Sequence, residues 1–146
     1  MAYSTDEDIF DRLSQEKVRQ LTDDDSTGSV DTDRLARLRE QATRKVDLYV
    51  RRRYELPISD SDALDVLADI ETDLLAYLLY ARRPMETPED VAEGREQALK
   101  DLEMIAEDGG LGIDQDGDGT PDGGSGLRVR RGDDRQTFTE RMDGRY

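Results

Sequence analysis

The 146-residue sequence lacks cysteine and histidine, and it holds three lysines against 18 arginines. Without cysteine there can be no disulfide scaffold, thiolate metal site or cysteine nucleophile. Without histidine the commonest general base and the usual zinc ligand are missing, so triad hydrolysis and zinc chemistry are poorly supported. No pair of carboxylates stands out from the acidic background as an acid and a base. We therefore expect a protein that is not an enzyme.

Long hydrophobic runs are also missing. The longest apolar stretch, from Leu74 to Ala81, is far too short to span a bilayer, and no basic segment followed by an apolar run opens the chain. We expect a soluble protein that is neither exported nor embedded in a membrane. With 34% hydrophobic residues, the chain fits one compact domain with an extended appendage.

Acidic residues are in large surplus, 36 against 21 basic ones, which gives a formal net charge of -15. Such a surface resembles that of proteins from extreme halophiles, where carboxylates keep the surface hydrated and molar salt shortens the Debye length to about 3 Å. An ordinary acidic mesophilic protein is the alternative. A saline source is the interpretation that we carry forward.

Apolar residues at spacings of three and four predict four amphipathic helices. Their predicted limits are residues 6–20 with Thr5 as cap, a long helix ending near Arg53, a helix capped by Ser59 or Ser61, and a helix capped by Thr87 with Pro88 as its first residue. The third helix is the most apolar and should lie at the centre. We predict an all-α fold, a four-helix bundle.

Composition divides the chain into three segments. Residues 1–107 form the predicted helical domain, and residues 108–126 form a loop and hinge rich in aspartate and glycine. Residues 127–146 lack helical periodicity and carry a net charge of +2, against -17 for residues 1–126. We expect this last segment to be an extended carboxy-terminal arm that becomes ordered when it binds a partner.

The loop at residues 114–122 has the spacing of a calcium site. Carboxylates stand at loop positions 1, 3, 5 and 9, and Gly119 at position 6 allows a sharp reversal. The predicted metal ligands are Asp114, Asp116, Asp118, Thr120 through its carbonyl, and Asp122. Ser125 replaces the bidentate glutamate expected at position 12, so we expect modest affinity for Ca²⁺. A solvated linker is the alternative.

A second, weaker candidate lies at residues 23–31. Its candidate ligands are Asp23, Asp25, Thr27, Ser29 and Asp31. Thr27 stands where an acid is expected, and Arg34 occupies position 12. A self-satisfied Asx turn that caps the following helix explains this pattern equally well.

The arginines suggest partner contacts more than nucleic-acid contacts. The run at residues 51–53 could touch phosphate, but arginine in the last turn of a helix also favours the helix dipole, and the protein as a whole repels phosphate. In the arm, spaced apolar residues alternate with arginines. The predicted partner-binding residues are Arg128, Arg130, Arg131, Arg135, Phe138, Met142 and Tyr146.

Short motifs in a fixed order run through nearly the whole chain. They are Met1–Thr5 with Asp8 and Ile9, Gln20–Asp23 through Gly28 to Asp31, Val46–Val50, Arg53–Pro57, Tyr80–Pro84, and Phe138–Thr139 through Tyr146. In this order they resemble the Mu-like neck family of tailed phages. The resemblance implies a head-tail adaptor, also called a connector or head completion protein, which forms a ring beneath the portal in the virion neck.

From the residues and this resemblance together, we expect a structural virion protein of a tailed virus, with a haloarchaeal source. Its expected partners are the portal protein, a tail-side neck or tail completion protein, and its own neighbours in a ring of 12 copies. DNA should pass without specific binding, since an acidic wall does not hold it. We expect the protein in the virion neck, and in the host cytoplasm during assembly. A calcium-dependent binding module is the alternative.

Overall fold

The computed structural model describes residues 2–115, and within that range the chain forms helices and no strand. The helices are α1 (Asp6–Leu13), α2 (Gln15–Thr22), α3 (Thr32–Val50), α4 (Ser61–Ala81) and α5 (Glu89–Asp108). The all-α prediction is confirmed. The described residues contain five helices in place of the predicted four, because the first predicted helix is two.

The break falls at Ser14, which has a φ of 79° and therefore leaves the right-handed helical region. Its N–H donates to the Phe10 carbonyl at 2.7 Å and ends α1. Its hydroxyl accepts from the Lys17 N–H at 3.2 Å and caps α2. One residue thus serves both helix ends, and the chain turns where a continuous helix over 6–20 was predicted.

Side chains also cap α1, α3 and α4, although not always at the predicted residue. Thr5 caps α1 in a reciprocal capping box with Asp8, as its position predicts. Asp60, and neither Ser59 nor Ser61, caps α4, because its carboxylate accepts the Ala63 N–H at 3.0 Å. At α5 the cap position is Pro88 and no side chain caps the helix, so the predicted cap at Thr87 is wrong.

The core is built around α4, which packs against each of the other four helices. Ten of its residues are buried, and Leu67, Leu75 and Leu79 are fully so. Truncating any of these leucines to alanine should cost about 2–5 kcal/mol of stability. The predicted central position of the most apolar helix is confirmed.

After α5 the chain returns along the turn between α3 and α4. The Leu111 N–H donates to the Tyr54 hydroxyl at 3.3 Å, and Leu111 and Ile113 join the core. The packed body therefore extends past the boundary at residue 107 that composition predicts. The remainder of the predicted loop, from residue 116, and the arm at 127–146 lie outside the described residues.

Candidate functional site

The first acidic loop, between α2 and α3, is held together by its own hydrogen bonds. The Asp23 carboxylate accepts the N–H groups of Thr27 and Gly28, both at 2.8 Å, and the Thr27 hydroxyl at 3.0 Å. The two backbone hydrogen bonds are the main reason why the pKa of Asp23 lies below its ordinary value. Gly28 has a φ of 87°, a backbone conformation that favours glycine.

The last residue of this loop caps the next helix. The Asp31 carboxylate accepts the Arg34 N–H at 3.0 Å, and the Asp31 N–H donates to the Thr22 hydroxyl at 3.2 Å. Of the other candidate ligands, Asp25 is exposed, and Ser29 lies 3.3 Å from the Thr27 hydroxyl. These hydrogen bonds are the ones expected for a self-satisfied Asx turn that caps the following helix. Calcium binding by this loop stays a prediction.

Three arginines surround Asp24, the loop residue that sequence reasoning did not single out. Arg82 contacts both carboxylate oxygens, at 2.6 and 3.2 Å, while Arg83 and Arg34 approach to 3.1 and 3.2 Å. The hydrogen bond from Arg82 is the largest cause of a pKa for Asp24 below its ordinary value, and the charges of the other arginines lower it further. We call Asp24, Arg34, Arg82 and Arg83 the arginine cluster.

The same arginines hold the carboxyl end of α2. Arg82 donates to the Leu21 carbonyl at 2.6 Å, Arg83 to the Gln20 carbonyl at 2.8 Å, and Arg34 to the Thr22 carbonyl at 3.1 Å. The last carbonyls of a helix lack partners within it and carry partial negative charge, so guanidinium groups satisfy them well. The cluster therefore fixes the acidic loop and the end of α2 against the end of α4.

A buried carboxylate ties the amino-terminal segment to the body. Glu71 in α4 is fully buried and accepts the Ser4 N–H at 2.8 Å and the Ser4 hydroxyl at 2.5 Å. The Thr43 hydroxyl of α3 lies 2.6 Å from it, and the Tyr3 N–H lies 3.2 and 3.3 Å from its two oxygens. A buried carboxylate that lacked hydrogen-bond donors would destabilise the fold. These contacts therefore hold the amino-terminal segment against α3 and α4.

Tyr3 also reaches α3, because its hydroxyl donates to the Asp47 carboxylate at 2.5 Å. Burial, followed by the hydrogen bond and charge of Asp47, raises the pKa of the Tyr3 hydroxyl well above its ordinary value. The tyrosine therefore stays a neutral donor at physiological pH. Together with Ser4 it attaches the amino-terminal segment to α3 and α4 at once.

Three open cavities adjoin along this side of the molecule. The first, of about 430 Å³, lies between Ala2 and α3. The second, of about 370 Å³, shares Ala2 and Asp47 with it and reaches Leu56 and Pro57. The third, of about 490 Å³, shares Leu56 and Pro57 with the second. The acidic residues that line the third cavity are Glu55, Asp60 and Asp114.

The second acidic loop begins at this third cavity. The Gln115 amide pairs with the backbone of Glu55, accepting its N–H at 2.7 Å and donating to its carbonyl at 2.9 Å. Asp114, the first predicted calcium ligand, is exposed beside it. Within residues 2–115 no three acidic side chains are grouped so as to hold a metal ion. The other predicted ligands, Asp116, Asp118, Thr120 and Asp122, lie outside the described residues.

The predicted partner-binding residues of the arm also lie outside the described part of the chain. Within that part, sequence reasoning missed Glu71 and the arginine cluster. A weak signal existed for Glu71, which interrupts the apolar residues on the buried side of α4. For the membrane question, none of the described helices is both long enough and apolar enough to cross a bilayer.

Comparison with known proteins identifies the family of this chain. No curated protein matches the chain. Residues 3–129 match the family described as bacteriophage Mu Gp36. The match takes in the buried anchor of the amino-terminal segment, the first acidic loop, all five helices and the arginine cluster. Because the matched range covers most of its length, the chain belongs to the bacteriophage Mu Gp36 family.

Proposed function

We propose that the protein is a head-tail adaptor, a structural component of the virion neck that joins the portal to the tail of a tailed virus. The observation that carries the proposal is the family match over residues 3–129, which indicates a structural or morphogenetic phage protein. The more specific adaptor role is supported by the motifs that run in order from Met1 to Tyr146 and resemble the Mu-like neck family. The work of such a protein is mechanical, and we do not assign it an enzymatic activity.

The construction of the body supports a mechanical role. The first acidic loop is tied to two helices through the arginine cluster, and the amino-terminal segment is tied to two helices through Glu71 and Asp47. Rigid attachment of loops and chain ends suits a protein that must keep its shape between two larger assemblies.

The first and the last described residues lie beside one turn. Ala2 and Tyr3 line the cavity on one side of Leu56 and Pro57, and Asp114 and Gln115 line the cavity on the other side. The described chain therefore begins and stops at the same end of the body. In the proposed neck, this end faces the portal, and the arm contacts the portal or a neighbouring copy.

Charge supports the passage of DNA without specific binding. A net charge of -15 repels the phosphate backbone, so an acidic channel wall would not slow the DNA. The same acid surplus supports a haloarchaeal source. We further propose 12 copies in the ring, which a twelvefold portal would impose by matching symmetry, and Ca²⁺ in the loop at 114–122.

Symmetry-resolved imaging of purified virions tests the proposal. The expected density is a ring of this chain directly beneath the portal, with mass spectrometry of the same particles detecting the protein in matching copy number. Absence of the protein from virions, or its location in the tail tip or capsid shell, would refute the adaptor role. A chain absent from virions that changes shape on adding Ca²⁺ would instead favour the calcium-dependent binding module.

A further inference from the structure

The outward face of α3, continued by Arg51 just after its last residue, carries a row of arginines at a seven-residue spacing. Arg37, Arg44 and Arg51 are all exposed, and Leu48 between the last two is 51% exposed. Residues 32–53 hold eight basic and three acidic side chains, a net charge of +5 in a chain whose total is -15. We call Arg37, Arg44 and Arg51 the basic stripe.

None of the basic stripe forms an ion pair with the residues that the structure describes. The paired arginines in that range are Arg12, Arg19, Arg34, Arg39, Arg82 and Arg83. Arg51 uses its Nε to donate to the Asp47 carbonyl at 3.2 Å, which leaves its other N–H groups for further contacts.

The outward face of α5 carries the complementary row. Glu89, Glu96 and Glu103 are exposed and follow one another at the same seven-residue spacing. Residues 89–108 hold eight acidic and two basic side chains, a net charge of -6. Among residues 2–115 none of these three glutamates has an ion-pair partner. We call them the acidic stripe.

The two stripes cannot meet within one copy. Because α3, α4 and α5 all pack against one another, the outward faces of α3 and α5 point away from their shared core and away from each other. A partner for either stripe must therefore come from outside the copy. A second copy supplies the complementary stripe on a helix of nearly equal length, 19 residues for α3 and 20 for α5.

We propose that the basic stripe of one copy packs against the acidic stripe of the next copy in the ring, which rests on the proposed adaptor function. Seven residues rise about 10.5 Å along a helix, so all three charge pairs form in one register. Seven is also the repeat at which two helices keep one face towards each other. Since the two stripes are different surfaces, the contact is head to tail and can close into a ring.

A protein partner fits the basic stripe better than nucleic acid does. Leu48 lies between Arg44 and Arg51 and offers an apolar surface that phosphate cannot use. A contact with α5 covers Leu48 and gives the arginines carboxylate partners. Pairs that are enclosed by the contact are also less screened by salt than pairs on an open surface.

Charge reversal of the two stripes in the full chain tests this inference, with the association constant measured by sedimentation at low and high salt. The first variant carries Arg37→Glu with Arg44→Glu, and the second carries Glu96→Arg with Glu103→Arg. All four positions are exposed and lie inside their helices, so folding should be retained. Each variant alone should self-associate at least about tenfold more weakly than the wild type. In a mixture of the two variants, the acidic α3 of the first variant meets the basic α5 of the second variant, so the two stripes again carry opposite charges.

The expected result is therefore that each variant alone shows this weakened association, while a chain carrying all four substitutions recovers the association constant of the wild type. A control reverses a charge away from both stripes, Lys17→Glu on α2, and should assemble as the wild type does. If the four-substitution chain does not recover, or the single-stripe variants assemble normally, the pairing is wrong while the adaptor role stands. If the basic-stripe variant loses only the ability to retain DNA, the stripe is a nucleic-acid surface. A wild-type chain that is monomeric both in solution and in virions refutes the pairing and the ring together.

Discussion

Replacing Glu71 by leucine should release the amino-terminal segment and lower the free energy of unfolding by about 3 kcal/mol. The fully buried carboxylate accepts hydrogen bonds from Tyr3, Ser4 and Thr43, which come from the chain end and from α3. Leucine has a similar volume and no acceptor. The substitution therefore removes the shared partner of these donors without opening a large cavity.

The size of the effect follows from which donors keep a partner. The Thr43 hydroxyl also lies 2.9 Å from the Arg39 carbonyl and can donate there. The Tyr3 N–H makes the longest contacts, at 3.2 and 3.3 Å, and loses least. The N–H and hydroxyl of Ser4 are buried without an alternative partner among the described residues, and each costs about 1–3 kcal/mol when unsatisfied. Release of the segment into water limits the total.

Urea unfolding of the full chain measures the loss, and hydrogen exchange of the amides of Tyr3 and Ser4 locates it. Ser4→Ala should cost about 1 kcal/mol in the wild type and almost nothing beside Glu71→Leu, because the two side chains share one interaction. Glu93→Leu, an exposed glutamate on α5, is the matched control and should change stability by less than about 0.5 kcal/mol. Wild-type stability for Glu71→Leu, with Ser4→Ala equally costly in both backgrounds, would refute the anchor.

Three further predictions concern other parts of the chain. The pKa of Asp24 is held below its ordinary value mainly by Arg82, so the contribution of the Asp24 carboxylate to stability is complete above about pH 4 and is lost as the pH falls through the lowered pKa. Asp24→Asn should therefore weaken the fall in melting temperature on acidification. A variant whose melting temperature depends on pH as that of the wild type does would contradict this prediction. Deleting residues 127–146 should leave the thermal stability of the body unchanged and abolish incorporation into particles; normal incorporation would refute the arm. Alanine at both Asp116 and Asp118 should abolish the rise in melting temperature on adding Ca²⁺, and a wild type that shows no such rise would exclude the site.

The helical architecture could be predicted because apolar spacing records which side of each helix is buried. This signal identified α4 as the central helix, and capping chemistry identified Thr5. The break at Ser14 was missed because Ile9 and Leu13 on one side and Val18 on the other resemble a single stripe. Leu13 and Val18 are five residues apart, and a single helix would place two residues at this spacing on different faces. This spacing is therefore the signal of the break in the sequence.

The contacts that position the loops could not be predicted, because they join residues far apart in the sequence. Ser4 and Glu71 are 67 residues apart, and Asp24 and Arg82 are 58 apart. Spacing rules describe neighbours on one helix and carry no information on such pairs. Arg82 could be identified as the end of a helix, but its contact with a carboxylate on another loop required the fold.

Two sets of arginines among the described residues differ in their contacts, and the first set gives the scarcity of lysine a physical reason beyond salt. Arg34, Arg82 and Arg83 each contact both Asp24 and a terminal carbonyl of α2, which a planar guanidinium with five N–H groups can do and a compact ammonium does less well. The guanidinium groups of these three arginines therefore have their partners within one copy. The basic stripe, in contrast, has no described ion pair. Substitutions in the arginine cluster should therefore destabilise the isolated chain, whereas substitutions in the stripe should weaken only the contacts between copies.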